Sequence, residues 1–442
     1  MKEKHLVDSF GCIKKIFKKE VNIATRTISN TGGNYNAVGA WVEGIVPTSA
    51  DDVVATATSG QLTVNVASSA STFSFTNYVN TLTMNAVWTV SGTGTQRFVS
   101  AMTISGSSNI ALTGSGATIV TNGKTIPNLQ LSGNKTISDT LNIVNLSTPL
   151  NPAGIFSGTQ TINVSGNTTL SWLSNYSGAG ITLNLTGTGT FTGTFGFLAT
   201  NINTSGTITL TTTSSISSAI KIQPATTGVL VALNYIAGTI AGDKTLGIVG
   251  INAALSLFSL NTGGMTWKNI SYQYTPNSVG LSTITLASNL NFTGDLSFAI
   301  GPSFPGITIP SYLPITINGT GRLNGGRLVL NTGILSAGSI QPTGSPFYIL
   351  PHNIKFGSPS LHTLTELSSS SLFDNPNLIS SQTASTTAYL SVSATQSVQN
   401  TNFTDIDATG GPIKTFRSTL TRTTEITNFT EYGGTVAFTF LN

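Results

Sequence analysis

The sequence predicts an all-β fold and, more specifically, a right-handed parallel β-solenoid. Three observations favour this fold class. Apolar residues alternate with Thr, Ser or Asn along most of the 442-residue chain, and the predicted strands are short. Only 8% of the residues are charged, against about 25% in a typical soluble domain. Thr favours strands because it is β-branched, whereas Ser, Asn and Gly favour turns.

The alternation begins near Gly60 and has a period of two residues, so each strand buries one face and exposes the other. Glycine interrupts the runs, as at Gly92, Gly106 and Gly114, at intervals typical of short strands joined by turns. The alternating apolar positions, which we expect to point inward, include Leu62, Val64, Val66, Met102, Ile104, Ile110, Leu112, Leu129, Leu131, Leu141, Ile143, Ile162, Val164, Ile181, Leu183, Leu185, Ile208, Leu210, Ile284, Leu286, Ile315, Ile317, Leu328 and Leu330.

A solenoid explains the length of this pattern better than a sandwich, because a β-sandwich domain is complete after about 100 residues. In a solenoid each rung buries its apolar face against neighbouring rungs, so very short strands are sufficient. Small polar residues at the outward positions can stack as ladders without charge repulsion. The sequence has no strict repeat length, so tandem β-sandwich domains remain the alternative prediction.

The excess of positive charge is confined to the start of the chain. Residues 1–26 contain seven Lys or Arg and three acidic residues, whereas the rest of the chain contains twelve of each sign. A nearly uncharged body has weak long-range electrostatics, and binding nucleic acid along it would require many Lys or Arg residues facing phosphates. We therefore expect no nucleic-acid partner.

The N-terminal segment has the strongest helical pattern in the sequence, and it predicts an amphipathic helix from Lys4 to Glu20. Four apolar residues at spacings of four, three and four would share one face of this helix: Leu6, Phe10, Ile13 and Phe17. Such a helix could dock into a groove of a partner protein, lie on a membrane surface, or cover the open end of the body. The pattern does not separate these three roles.

The sequence predicts three regions: a docking or capping segment at residues 1–28, a solenoid body at 29–340, and a C-terminal β-rich region at 341–442 that continues or caps the solenoid. The body opens with a loop and a first strand between Trp41 and Val54, where Pro47 and Asp51 indicate turns. Prolines cluster before the second boundary, and proline cannot donate a hydrogen bond to a strand ladder.

Cys12 is the single cysteine, so an internal disulfide is impossible. The apolar runs near the N-terminus are far shorter than the roughly seven to fifteen residues of a secretory signal. No stretch approaches the roughly twenty apolar residues of a membrane helix. We therefore expect the chain to be made in a host cytoplasm and to leave by assembly or lysis.

Three passages carry a resemblance to a known class of proteins: residues 41–66, 121–129 and 402–411. Together they resemble rungs of β-helical tail fibres, spikes and other virion structural proteins of tailed phages. The resemblance implies a structural role in a virion, contacts with other virion proteins through residues 1–28, and assembly as a homotrimer. It also implies a host-surface glycan as a binding partner, and it carries over no catalytic residue.

The sequence offers little material for catalysis, and we expect neither an enzyme nor a cofactor. The three histidines, His5, His352 and His362, lack the spacing of a metal site. Asp405 and Asp407 are the one plausible carboxylate pair, since alternate strand residues share a face and Ile406 between them would point inward. We interpret them first as solvated or turn-capping residues.

Aromatic residues could bind sugar by stacking. Trp41, Trp88, Trp172 and Trp267 are far apart in sequence, and burial in the core is the commoner fate of Trp.

The leading hypothesis is therefore a structural component of a phage virion, such as a tail fibre, a spike or an accessory protein. A polysaccharide-degrading tailspike that uses Asp405 and Asp407 is the second hypothesis. A bacterial surface adhesin is the third, and an export signal would favour it.

Overall fold

The chain is a parallel β-solenoid in the computed structural model, which confirms the predicted fold class. Apart from the pair formed by the first two strands, every pair of described strands is parallel. This pairing excludes tandem β-sandwiches in the described part of the chain, because sandwiches are built from antiparallel strands. The structure describes residues 6–7, 13–14, 23–148, 156–169, 180–195, 199–210, 220–222, 230–242, 244–250, 255–274, 281–300, 315–325, 327–331, 353–357, 361–364, 366–370, 377–383, 387–392, 396–399, 401–407, 413–416, 420–421 and 429–432.

The N-terminal half of the solenoid is built from short strands. One 3-10 turn, at Val38–Ala40, lies among them. The strands of this half are β1 Leu6–Val7, β2 Ile13–Lys14, β3 Thr25–Thr27, β4 Gly33–Asn34, β5 Asp52–Ala55, β6 Leu62–Val64, β7 Ser68–Ala70, β8 Thr72–Phe75, β9 Thr81–Met84, β10 Trp88–Val90, β11 Thr95–Arg97, β12 Thr103–Gly106, β13 Ile110–Leu112, β14 Ala117–Val120, β15 Thr125–Leu131, β16 Lys135–Ile137, β17 Leu141–Ser147, β18 Phe156–Ser157, β19 Thr161–Val164, β20 Thr168–Thr169, β21 Thr182–Leu185 and β22 Gly189–Phe195.

The C-terminal half continues the same arrangement with longer strands at its start. These strands are β23 Ala199–Leu210, β24 Ile220–Ile222, β25 Leu230–Gly242, β26 Leu246–Gly250, β27 Leu255–Asn261, β28 Thr266–Trp267, β29 Ile270–Tyr274, β30 Leu281–Leu286, β31 Leu290–Phe292, β32 Asp295–Ile300, β33 Ile315–Gly319, β34 Leu323–Asn324, β35 Arg327–Asn331, β36 Asn353–Phe356, β37 Leu361–Leu364, β38 Glu366–Ser370, β39 Asn377–Ser381, β40 Ala388–Val392, β41 Gln396–Gln399, β42 Thr401–Thr404, β43 Ile406–Asp407, β44 Ile413–Phe416, β45 Leu420–Thr421 and β46 Phe429–Tyr432.

Each rung of the solenoid passes through three parallel faces in turn. Face 1 runs from β3 to β18 and resumes from the end of β22 through β24 to β46. Face 2 runs from β4 to β12 and then from β15 to β45. Face 3 runs from β7 through β25 and resumes from β28 to β43. The long strands β15, β17, β22, β23 and β25 turn a corner and serve two faces each.

The rungs have no fixed length, which explains why the sequence shows no strict repeat. Ile413 pairs with Phe429, sixteen residues later, whereas Ile315 pairs with Ile354, thirty-nine residues later. Most paired strands nevertheless stay in continuous register, and the pair β23–β25 is an exception, with register shifts after Ile202 and Asn203. Insertions in the connections between strands cost little, since loop-closure entropy grows slowly with length.

The core is a column of apolar side chains inside the three faces. Alternating burial is clear in β5, β8 and β9, where every second residue is buried. Of the predicted inward residues, those described with their side chains are buried, apart from Ile104, which is half-buried, and Val66, which is exposed. The prediction for Val66 is wrong because β6 ends at Val64, so the alternation stops one step earlier.

Outward asparagines form a ladder along face 2. In each of four successive steps, the side-chain amide nitrogen of one Asn donates to the side-chain oxygen of the Asn in the preceding rung, at 2.8–3.0 Å. The ladder consists of Asn142, Asn163, Asn184, Asn201 and Asn234. These residues share one register column, so the expectation that small polar residues stack along an outward surface is confirmed here.

The predicted helix from Lys4 to Glu20 is wrong where the structure describes it. Leu6–Val7 and Ile13–Lys14 are strands that pair antiparallel, so neither pair of residues is helical. The sequence between them contains Asp8, Ser9 and Gly11, and these residue types weaken a helix by competing for backbone hydrogen bonds or by conformational entropy. Periodicity of the apolar residues alone overlooked them.

The predicted boundary near residue 340 falls between paired strands. On face 2, β33 pairs with β36, and on face 1, β35 pairs with β38. The described sheets therefore continue from the body into the C-terminal region, and the prolines at 302–314 and 342–351 lie outside the described residues.

The asparagine ladder predicts a measurable stability effect. Asn184→Ala removes hydrogen bonds to both Asn163 and Asn201, so we expect the free energy of unfolding to fall by about 1–2 kcal/mol. Asn203→Ala is the matched control, because Asn203 is exposed on the next rung. Thermal and denaturant unfolding measure both variants, and equal losses in the two would contradict a stabilising ladder.

Candidate functional site

The N-terminal end of the solenoid is closed by the chain itself. Residues after the 3-10 turn fold back antiparallel onto β3, where the Val42 amide donates to the Thr27 carbonyl at 2.9 Å and Ser29 donates to Ala40 at 2.8 Å. The Thr27 amide donates to the Glu43 carboxylate at 2.8 Å. The edge of β3 is therefore covered at Thr27 by residues of the same chain, which hinders another strand from adding there.

An aromatic cluster supports this closed end from below. Tyr35 and Trp41 meet edge to face with ring centroids 5.0 Å apart, and the Trp41 indole donates to the Tyr35 carbonyl at 2.9 Å. Beneath them, Phe73 lies 5.2 Å from Trp88 and 4.6 Å from Phe98. All five side chains are buried. Large aromatic rings fill the interior next to the cap, and such pairs add about 0.5–1.5 kcal/mol beyond their buried area.

The three described tryptophans therefore belong to the core and not to a sugar-binding surface. Trp41, Trp88 and Trp267 are each at most 2% exposed. Trp172 lies outside the described residues. The interpretation that burial is the commoner fate of Trp holds for the three that are described.

Exposed aliphatic side chains are concentrated at this same end. Nine large apolar residues are exposed in the described part of the chain, and seven of them lie between residues 23 and 87. These seven are Ile23, Val38, Val42, Ile45, Val66, Val79 and Val87, with 39–66% of each side chain accessible. We call the four on and next to the cap, Ile23, Val38, Val42 and Ile45, the cap patch.

The cap patch directly follows the basic segment of the sequence. Arg26, the last cation of that segment, lies 3.6 Å from Asp51, whose carboxylate also accepts from the Thr48 amide and hydroxyl at 2.8 and 2.9 Å. The bonds from Thr48 and the charge of Arg26 hold the pKa of Asp51 below its usual value, although burial alone would raise it. Asp51 thus fixes the turn that leads from the cap into β5, as its turn signal predicted.

The four predicted docking residues are only partly located. Leu6 and Ile13 lie on the paired strands β1 and β2, and Phe10 and Phe17 lie outside the described residues. The sequence did not single out the cap patch. Three of its residues lie in or near the passage from Trp41 to Val54, where the sequence predicts only a loop and a first strand.

Asp405 and Asp407 lie at a corner and not side by side on one strand. Asp405 falls between β42 and β43, with a left-handed φ of 55°, and it is buried. Its carbonyl accepts from the Ala388 amide at 2.9 Å. Asp407 follows in β43 and is half-buried, and Ile406 between them points inward as expected. The alternate-residue geometry that suggested a dyad therefore does not apply.

Two buried basic side chains in the described part of the chain, His362 and Lys135, have lowered pKa values. His362 points into the core from β37, and burial lowers its pKa to about 4. His5 and His352 lie outside the described residues. Lys135 points inward from β16, and its amine donates to the carbonyls of Gly114 at 2.5 Å, of Asn134 at 3.4 Å and of Ser132.

Lys135 joins two successive corners of the solenoid. The residue is 1% exposed, and burial lowers its pKa to about 8. Backbone carbonyls enclose the amine and shield it from solvent. We therefore interpret Lys135 as a structural cross-link, which donates hydrogen bonds to buried carbonyl groups.

Lys135 predicts a pH dependence of stability in the alkaline range. Because its pKa in the folded protein lies below the ordinary 10.5, the unfolded chain binds more protons between pH 8 and pH 10, and stability rises with pH there. We expect the wild type to gain about 2 kcal/mol over this window relative to Lys135→Met, from the linkage relation. Chemical denaturation at each pH measures the difference, and parallel curves for the two proteins would contradict it.

Substitutions at Asp405 test whether its left-handed backbone conformation stabilises the corner. Asn tolerates a left-handed φ, so Asp405→Asn should leave stability nearly unchanged, whereas Asp405→Val should lower it by about 1–2 kcal/mol. Asp407→Val is the control, because Asp407 lies in a strand, where Val is favoured. If both Val variants lose the same stability in thermal unfolding, the left-handed corner is not the cause.

Comparisons of this chain with protein-family models, with curated proteins and with solved structures gave no match. Within the described residues, no three His, Cys, Asp or Glu side chains come together in a way that could hold a metal ion. No described helix is long and apolar enough to cross a membrane. The functional assignment therefore depends on the geometry of this chain's own residues.

Proposed function

We propose that this chain is an elongated, non-catalytic structural component of a phage virion, such as a tail fibre, a spike or an accessory protein. Face 2 contains seventeen strands in succession, and at about 4.8 Å per strand they span about 80 Å. A rod of this length with a nearly uncharged surface suits a part that projects or spaces and does not need to attract a charged ligand from solution.

The clustering of exposed aliphatic residues at one end is the observation that carries this proposal. Soluble proteins seldom group exposed apolar side chains unless the surface binds a partner. The cap patch provides such a surface at the N-terminal end, and the sequence of residues 1–26 carries a net charge of +4. The rod attaches to the virion through this end, and the partner surface combines an apolar depression with acidic residues around it.

The closed edge of β3 favours docking over capping as the role of the first residues. The sequence left open whether residues 1–28 dock to a partner or cover the solenoid. The Thr27 amide and carbonyl at the edge of β3, and the Ser29 amide after it, already bond to residues 40–43. Part of this edge is therefore covered without the residues before Ile23, and we assign those earlier residues to contacts with other virion proteins.

The opposite end and the faces of the rod remain for host contact. A homotrimer that binds a host-surface glycan is the arrangement implied by the proteins that this sequence resembles. A glycan-degrading spike is the runner-up, and the corner position of Asp405 gives it little support. A bacterial surface adhesin would use the same rod but would be anchored in a cell surface.

Attachment through the N-terminal end predicts loss of incorporation into particles. We expect deletion of residues 1–22, or the triple change Val38→Ser, Val42→Ser and Ile45→Ser, to reduce the copies per purified particle at least tenfold. A tenfold change corresponds to about 1.4 kcal/mol of binding free energy. Leu230→Ser with Ile236→Ser is the matched control, because these two exposed aliphatic residues lie far along the chain from the cap.

Quantitative mass spectrometry of purified particles measures the copies, and thermal unfolding confirms that each variant is folded. Normal incorporation of both N-terminal variants would contradict attachment through this end. Absence of the wild-type chain from particles, together with its presence in the cell-surface fraction, would instead favour the adhesin.

A further inference from the structure

The most unusual buried group in the described residues is His362, which takes the place of a backbone acceptor between two rungs. Its Nδ1 accepts from the Leu323 amide at 3.1 Å, so β34 and β37 are joined through an imidazole ring. The ring packs against Phe356 with centroids 4.6 Å apart, and His362 is 1% exposed. Its Nε2 is buried without a hydrogen-bond partner.

The rungs on the two sides of His362 are joined unequally on face 3. Toward the C-terminus, β37 pairs with β40 in continuous register from Leu361–Tyr389 to Leu364–Val392. Toward the N-terminus, β34 and β37 share the register pair Asn324–Thr363, together with a bond from the Gly325 amide to the Thr363 carbonyl at 2.9 Å. The bond to His362 is therefore a large part of what joins these two strands.

The described surroundings of His362 do not compensate a positive charge on its ring. Burial lowers the pKa of His362, and the positive charge of Arg322, next to β34, lowers it further. Lys355 on β36 alternates with the buried Ile354 and Phe356, so it points away from the ring. The neighbour in register on β40 is the apolar Leu390.

We propose that His362 makes the junction between β34 and β37 sensitive to acid, so that these two strands separate locally on face 3 when its ring is protonated, while β33–β36 and β35–β38 stay paired. A proton on Nδ1 places an N–H donor opposite the Leu323 amide, which is also a donor, and the bond is lost. The same proton introduces a buried charge without a counter-ion, which is unfavourable in an apolar interior. The junction opens at face 3, while the N-terminal rungs stay closed. This inference is independent of the proposed role in a virion.

The sign of the effect follows from the lowered pKa. His362 titrates at about 4 in the closed rung and at its ordinary 6.5 when the junction is open. The open form therefore binds more protons, and the closed form is stable above pH 6.5 and loses stability as the pH falls toward 4. At pH 5 the ratio of open to closed junctions should be about thirty-fold higher than at pH 8, by the linkage relation.

Hydrogen exchange of the full chain tests the proposal. The variant His362→Asn places its side-chain oxygen near the position of Nδ1, so it keeps an acceptor for Leu323 but cannot be protonated. Peptides that contain β34 and β37 should exchange about thirty-fold faster in the wild type than in the variant at pH 5, and equally at pH 8. Comparison at the same pH cancels the intrinsic pH dependence of exchange, and peptides that contain β6 and β9 serve as the internal control.

The chain contains three histidines, so a second variant isolates the one of interest. His5→Gln with His352→Gln should keep the full acid response, and the remaining histidine should titrate near pH 4 by NMR. The proposal is overturned if His362→Asn opens in acid like the wild type, or if the double variant loses the response. If His362→Asn does not fold, a pKa near 6.5 in the double variant would overturn the proposal by itself.

Discussion

Parallel pairing between successive rungs is the constraint on which the rest of this structure depends. Each strand accepts a neighbour on both sides, so a residue at one position is repeated in space by the residue at the same register in the next rung. The side chains of one register column therefore stack on one another and must be compatible. The inward columns are mostly apolar, and the amides of the outward column of Asn142, Asn163, Asn184, Asn201 and Asn234 bond to one another from rung to rung. The strand register and the asparagine ladder stabilise each other. A slip by one residue would move the apolar side chains to the outer surface and the asparagines into the core.

The few charges of the body follow the same rule. Asp295, Arg327 and Glu366 occupy one register column on face 1. The Arg327 guanidinium donates to both oxygens of Asp295 at 2.9 and 3.0 Å and lies 3.7 Å from Glu366. The hydrogen bonds and charge of Asp295, followed by the charge of Glu366, raise the pKa of Arg327. Exposed ion pairs contribute little stability, but opposite charges in one column disfavour registers that would place like charges together.

The sequence predicts the strands well and the corners poorly, for a physical reason. Alternation reports burial directly, so residues such as Leu62, Ile162 and Leu328 are correctly assigned to the core. Some corners contain single residues in left-handed conformations, such as Asp405, which the alternation of apolar residues does not reveal. The candidate site was missed for a related reason. In the sequence, an exposed aliphatic residue such as Val42 cannot be distinguished from a buried one. Only the folded cap shows that its side chain faces solvent.

The two ends of a solenoid are the places where a rung lacks a neighbour, and they impose opposite demands. An open strand edge would add any free strand without selectivity. At the N-terminus the cap removes this hazard by bonding residues 40–43 to β3. Once backbone pairing is removed, the end can bind only through side chains, and Ile23, Val38, Val42 and Ile45 are then exposed on a rigid base of buried aromatic rings. A rigid apolar surface loses little conformational entropy on binding. In the attachment that we propose, the cap thus limits unselective growth of the sheet and presents a surface that is able to select its partner.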